Sequence, residues 1–473
     1  MPHTHPQPFW RFWLKSLAVA CLAAWSVVSC TPKDEEFTPD AGALLRFELD
    51  TVKFDTVFTE VGTVTKRVKV YNPSQNAVRI SQIKVAGLGS SAFQVFVNGQ
   101  PGPQLQNVEV RGGDSVLVLV KATINPDNTD APFLIKDSIV FTTNGNVQDI
   151  NLIAYGQNAI YHRAGEVLCT QTWTAGKAHV IYDSVTVPEG CTLTIAAGAQ
   201  IYLQNGAKLK VLGKLMVQGE KEKQVRFQQI RQEERYRQAP GQWIGLEFGE
   251  KSRGNVIRFA EIKNAVIGVL VRAQDNDLGE VTLEHVFLKN MIQAGVFSMG
   301  GDVTMVNSLI ANCGEHAFAG VGGGRYTILY STLANYSDSF IRTKPSVMFL
   351  ETLQFEGEPT PRRIKPYQLT MANSIVWGRQ EDELLFEPSR LGSTIDINHA
   401  LLKTKQYQTV FNNNGNKINQ DPMFRDAPKF DFQIMKLSPA NKMGIPVSGI
   451  LVDYEWKARD AATPDAGALE VID

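Results

Sequence analysis

The sequence predicts an all-β chain in which an N-terminal β-sandwich is followed by a β-solenoid. Two observations predict it. One eight-residue pattern recurs four times between 257 and 335, at nearly constant spacing. Before it, residues 44–158 break into about seven short alternating runs separated by turn signals such as Asn98-Gly, Gly112-Gly and Asn144-Gly.

The recurring segments end on Asn264, Asn290, Asn312 and Asn335. Their separations are 26 (290 − 264), 22 (312 − 290) and 23 (335 − 312). A period in the low twenties with short β-rich runs marks a solenoid, whose turns bury their apolar faces only by stacking. A sharp corner between short strands favours a left-handed backbone, which Asn tolerates better than other non-glycine residues. Stacked amides can also hydrogen-bond up the column.

This pattern resembles the right-handed parallel β-helix, the pectate-lyase-like fold. Other segments share the resemblance. Val187-Pro-Glu-Gly-Cys191-Thr-Leu-Thr-Ile195 is similar to the first turns of bacterial β-helix proteins, and Trp243-Ile-Gly-Leu-Glu-Phe248 to one of their coils. Ile418-Asn-Gln-Asp421-Pro, Phe430-Asp-Phe432, Leu437-Ser-Pro-Ala440 and Asp465-Ala-Gly-Ala-Leu469 follow in the order of the closing turns of these proteins, so a C-terminal cap is expected. The β-helix is assigned to 159–473. Val68-Lys-Val-Tyr-Asn72-Pro, with Val78-Arg-Ile80, looks like the immunoglobulin-like domains found beside bacterial surface modules, so 44–158 is expected to be such a sandwich, acting as a spacer.

At 473 residues the chain is too long for one ordinary core. Apolar residues make up 43% and charged residues 20%, with 38 Gly and 22 Pro, which suits a globular, turn-rich molecule. The net charge of −1, with no basic stripe, points away from nucleic acid.

The N-terminus reads as an address. Arg11 and Lys15 precede the apolar run Leu17–Val28, and Ser29-Cys30 follows. This describes a secretory signal over 1–29, too short for a comfortable membrane span. Val27-Val-Ser-Cys30 resembles the bacterial lipobox, which implies cleavage before Cys30 and acylation of its sulfur. Several acyl chains give a stable anchor. The Lys33-Asp-Glu-Glu36 run looks like the acidic tether of Bacteroidota-type surface lipoproteins, so 30–43 is taken as a tether. The expected partner is thus outer-membrane lipid through Cys30, with display at the cell surface. Cys169, Cys191 and Cys313 remain within the folded part. Cys169 and Cys191 lie 22 apart, one solenoid turn, so they are either a disulfide or two stacked thiols. The Cys and His residues show no metal-ligand spacing, and no compact group of acids falls on adjacent turns, so neither metal nor other cofactor is expected.

For chemistry, a polysaccharide lyase needs a base and a group that neutralises the substrate carboxylate. The candidates are Arg258, Glu284 and Lys289 on neighbouring turns. Arg258 and Glu284 share a register, so they can equally form a surface salt bridge. His285 holds the register of Phe259 and Tyr330 and belongs to a wall. Asn307, Asn373 and Asn398 hold a position five before the corner and read as structural. The long insertion 337–368 interrupts the solenoid and offers Arg362, Arg363 and Tyr367 as candidate ligand contacts, since aromatic rings suit sugar faces and cations suit acidic glycans. The leading expectation is a glycan-binding or envelope-protein-binding module without catalysis. The alternative is a lyase or hydrolase acting on acidic polysaccharide.

Overall fold

The computed structural model describes residues 35–471, apart from 60, 128, 131, 275–276 and 337–339. The expected signal segment 1–29, the expected lipidation at Cys30 and the start of the expected tether, 31–34, lie outside the described residues. The chain divides into two compact units. One takes the chain up to Asn125 with Leu134–Ala154, and the other takes Pro126–Phe133 with Tyr155 onward.

The first unit is a sandwich of two five-stranded sheets. Alternation places Val68, Val70, Val118, Val120, Phe141 and Leu152 inside, all fully buried. Three strands are additional to the seven expected runs: the two-residue Gln100–Pro101, then Thr51–Phe58 and Gln104–Val110. The last is an edge strand whose side chains are mostly exposed, so it carries almost no apolar signal. Part of the stretch expected as a tether packs on the sandwich. Phe37 bridges Ala77, and Asn144 Nδ2 donates to the carbonyls of Thr38 and Asp40, which fixes this stretch to the sandwich.

The second unit is a right-handed parallel β-helix. An eighteen-stranded and a nine-stranded sheet wrap one continuous core. In the larger sheet each turn supplies two arms that meet at a bend. Inward files stack in register: Ile257, Leu283, Met305, Ile328 and Met371 on the first arm, and Ile262, Leu288, Ile310, Leu333 and Val376 on the second. All ten are 0% exposed. At about 25 cal/mol per Å² of apolar area, such files are the main source of stability. The nine-stranded sheet adds Val269, Val296, Phe318 and Val347. Gly320 sits opposite the Tyr326 ring, and a Cβ there would approach it to 2.5 Å.

The asparagine corner is present, with two departures. Asn264, Asn290 and Asn312 have φ of 65°, 58° and 55°, but Asn335 is absent from the left-handed residues and lies within the strand Thr332–Asn335. The amide ladder joins only Asn290 Nδ2 to Asn264 Oδ1, at 3.2 Å. The Arg/Gln-rich stretch after Gln228 covers this corner rather than floating over it. Asn264 Nδ2 donates to Gln229 Oε1 at 2.7 Å and to the Arg237 carbonyl at 2.9 Å.

A second left-handed file marks the bend between the two arms: Phe259, His285, Asn307, Tyr330, Asn373 and His399. Asn398 is therefore displaced by one residue from its expected register, because it pairs with Ala372 inside the strand. Next to this file, a serine ladder satisfies the backbone at the bend. Val286 N–H donates to Ser308 Oγ, Ser308 N–H to Ser331 Oγ and Ser331 N–H to Ser374 Oγ, at 3.1, 3.3 and 3.1 Å.

The insertion 337–368 is not wholly an interruption. Val347–Leu350 is a regular strand of the nine-stranded sheet, and the hairpin of Thr352–Leu353 with Arg363–Ile364 pairs outside both column sheets. Cys169 and Cys191 form a disulfide near the first turns. Cys313 is buried, and burial pushes its thiol up to about 12.

Of the closing motifs, the first lies at the end, where Ile418 pairs with Leu402 as the last strand of the larger sheet, and the other three do not. The last turn is covered by Tyr407 and Phe411, which pack on Phe386. From about 420 the chain turns back and runs along the outside. It does so because the outward file Phe287, Leu309, Thr332, Ile375 and Leu401 is mostly apolar and needs cover. Ala427, Phe432, Leu469, Ile434 and Met443 provide it.

Candidate functional site

The returning segment follows the second corner file. A left-handed residue at a bend projects its side chain outward, and all of these but His399, whose ring lies against Gly415, meet the returning chain. Asn373 Nδ2 and Tyr330 Oη donate to the Ile445 carbonyl at 2.8 and 2.6 Å. Asn307 Nδ2 donates to the Val452 carbonyl at 2.8 Å. His285 Nδ1 lies 3.3 Å from the Tyr454 carbonyl, and Trp456 meets both Phe259 and His285.

Where the segment reaches the earlier turns, it stands off and leaves a groove of about 550 Å³. One wall is the column, with Arg258, Phe259, Glu284, His285 and Asn307; the other is the stretch 449–452 with Trp456. Phe259 and His285 stack at 4.4 Å, and Trp456 lies 5.4 and 5.5 Å from them, tilted by 53° and 48°. Trp456 is 53% exposed, so much of its ring faces solvent.

Burial pulls the His285 pKa down, against the raising effect of the Tyr454 carbonyl. The ring is therefore neutral at pH 7. A carbonyl can only accept, so the proton sits on Nδ1 and Nε2 is left as an acceptor. The charged groups of the lining are Glu220, Lys221, Arg258 and Glu284, two of each sign.

Arg258 and Glu284 come together here, with Arg258 Nε donating to Glu284 Oε2 at 2.6 Å. Lys289 does not join them. It lies on the second arm, where Nζ meets Glu261 Oε1 at 2.6 Å and sits over the Phe287 and Phe430 rings. The proposed trio is thus split by the bend, which turns the chain between 284 and 289. The insertion candidates also separate. Arg362 pairs with Glu358 and covers Phe355 at 4.5 Å. Arg363 Nε donates to the Gly322 carbonyl at 2.7 Å. Tyr367 opens the strand Tyr367–Ala372 and is 0% exposed, so it cannot touch a ligand. Its alternation with the buried Leu369 and Met371 was the available signal. Among the described residues, no group of three or more His, Cys, Asp or Glu is placed to hold a metal ion.

Trp456 was missed by sequence reasoning. A tryptophan in the polar stretch Asp453-Tyr-Glu-Trp456-Lys457 was a visible anomaly, but what it faces depends on the return of the chain.

No family model matches the chain, and no curated protein matches it in sequence. Solved structures are similar to it only remotely. The catalytic unit of a thermostable GH87 α-1,3-glucanase from Streptomyces thermodiastaticus strain HF3-3 is 10% identical with a TM-score of 0.27, covering 72% of this chain and 88% of that one. A family 123 glycoside hydrolase from Clostridium perfringens is 7% identical with a TM-score of 0.19, over 28% of this chain and 30% of that one. A PapD-like domain of human CEP192 is 9% identical with a TM-score of 0.17, over 28% and 94%. Likenesses this remote speak to neither activity nor substrate.

Proposed function

We propose that this chain is a lipid-anchored cell-envelope protein whose β-helix binds glycan in the groove without cleaving it. The observation that carries the reading is the wall of three rings, Phe259, His285 and Trp456, beside an open groove that also carries Glu220, Lys221, Arg258 and Glu284. Rings offer sugar C–H faces a flat apolar surface, while the surrounding polar groups satisfy hydroxyls. A non-catalytic role is supported by the state of the candidate residues. Glu284 is held by Arg258, and Lys289 is committed to Glu261 on another face. The anchor at Cys30 and outer-membrane display belong to the same proposal. The Cys169–Cys191 disulfide suits an oxidising compartment.

Titrating the purified full chain with a panel of neutral and uronic-acid polysaccharides, while following ultraviolet absorbance and reducing ends, tests the binding half. The expected result is heat of binding with no product. Unsaturated or reducing ends that vanish in Glu284→Gln would replace it with the enzyme reading. Metabolic labelling with a fatty-acid analogue, lost in Cys30→Ser, tests the anchor.

A further inference from the structure

The groove also says which glycans suit it, and this inference rests on the proposed binding role. Its lining carries two cations and two carboxylates, of which Arg258 and Glu284 neutralise each other. His285 adds no charge, since burial disfavours its protonated form. No net positive field is present to hold uronate or sulfate.

The surface that continues from the groove is likewise uncharged. Thr282 and Thr304 stand two residues before Glu284 and Val306 on the same outward face. Thr327 and Thr370 extend the file in register. Adjacent hydroxyls are therefore one strand spacing apart, about 4.8 Å. No hydrogen bond joins these four hydroxyls to any group among the described residues. The next file outward is also balanced, with Arg325 paired to Asp302 at 2.6 Å.

We infer that the groove and the threonine file take a neutral polysaccharide running along the column, one sugar stacked on the exposed face of Trp456 and its neighbours hydrogen-bonded by Thr282, Thr304 and Thr327. The aromatic wall supplies affinity that does not depend on charge. The hydroxyl file and His285 Nε2 supply direction. This corrects the expectation of an acidic ligand, which rested on cations that the fold has paired or turned away.

Calorimetric titration of the full chain with a soluble β-glucan and a galactomannan, against polygalacturonate and alginate, decides it. Neutral polymers are expected to bind with an affinity that changes little between low and high salt, since no ion pair is formed. Trp456→Ala should weaken binding by about tenfold or more, and Trp456→Phe should recover most of the loss. The double variant Thr282→Val with Thr304→Val should weaken binding several-fold with an unchanged circular dichroism spectrum. Binding confined to the acidic polymers and weakened by salt would overturn the inference while leaving a glycan-binding role standing. Neutral binding that Trp456→Ala leaves intact would overturn it as well. Failure of both classes to bind would instead remove the proposed function beneath it.

Discussion

Arg459 and Asn307 are 152 residues apart, yet Arg459 Nη2 donates to Asn307 Oδ1 at 2.8 Å. The same guanidinium donates to Glu470 Oε1 at 2.7 Å, lies 3.9 Å from the Tyr330 ring centroid and reaches the Gly467 carbonyl. It is buried and ties the returning segment both to the column and to itself. Removing one partner of a buried pair leaves the other charge uncompensated, at a cost of about 3–5 kcal/mol. Arg459→Ala should therefore release the segment from about 445 onward. Amide exchange there should speed up while the inner turns stay protected.

Ser331 takes part in the ladder at the bend. Its Oγ accepts from Ser308 N–H and donates to the Leu329 carbonyl at 2.9 Å. Ser331→Ala leaves a buried N–H without a partner, which costs about 1–3 kcal/mol. Urea unfolding should show a lower midpoint. Thr at this position should retain more stability than Ala because it keeps the hydroxyl.

Stability should fall on acidification through His179. Its ring stacks on Trp173 at 4.6 Å, and its Nδ1 lies 3.0 Å from His162 Nε2, whose own Nδ1 meets Glu166. Burial, helped by His162, pushes its pKa down to about 4. The unfolded chain takes up this proton near the ordinary value of about 6.5, so the contribution is complete above that pH and is lost as pH falls toward 4. The shift corresponds to roughly 3 kcal/mol at most. Thermal melts at pH 7.5 and 5 should differ, and His179→Phe should narrow the difference.

Reduction of Cys169–Cys191 should loosen the first turns. The bond closes a loop of separation 22, and such a loop contributes about 3 kcal/mol. Dithiothreitol should lower the melting temperature of the wild-type chain and leave Cys169→Ala with Cys191→Ala unchanged.

The exposed Arg258–Glu284 pair should matter little to folding. Surface pairs contribute about 0–1 kcal/mol, so Arg258→Ala should shift the urea midpoint only slightly.

The column was legible because its period is written in one residue type. Asn264, Asn290 and Asn312 recur where the backbone turns left-handed, and the apolar residues between them alternate. The register of Phe259, His285, Asn307, Tyr330 and Asn373 was legible, but its left-handed turn was not, because three different rings and two amides do not share one turn-forming residue type. Their shared task is to hold the returning chain, which Asn307 and Asn373 do with amides and the other three with aromatic side chains. Ser308, Ser331 and Ser374 follow three of them directly and were the readable trace of the bend. The destination of the last fifty residues was hidden for a related reason. Their motifs are local, but their docking is set by an apolar file on the outside of earlier turns, from Phe287 to Leu401. The split of Lys289 from Arg258 and Glu284 has the same origin, since five residues that look adjacent in a repeat straddle a bend.

The doubling back of the tail also orders events at the ribosome. The turns can stack as they emerge, each on the one before, but Trp456 and Arg459 come only after the last of them. A message broken short of them would yield a column with its greasy flank bare and no groove. Only a chain made past Arg459 can close the second wall of the groove.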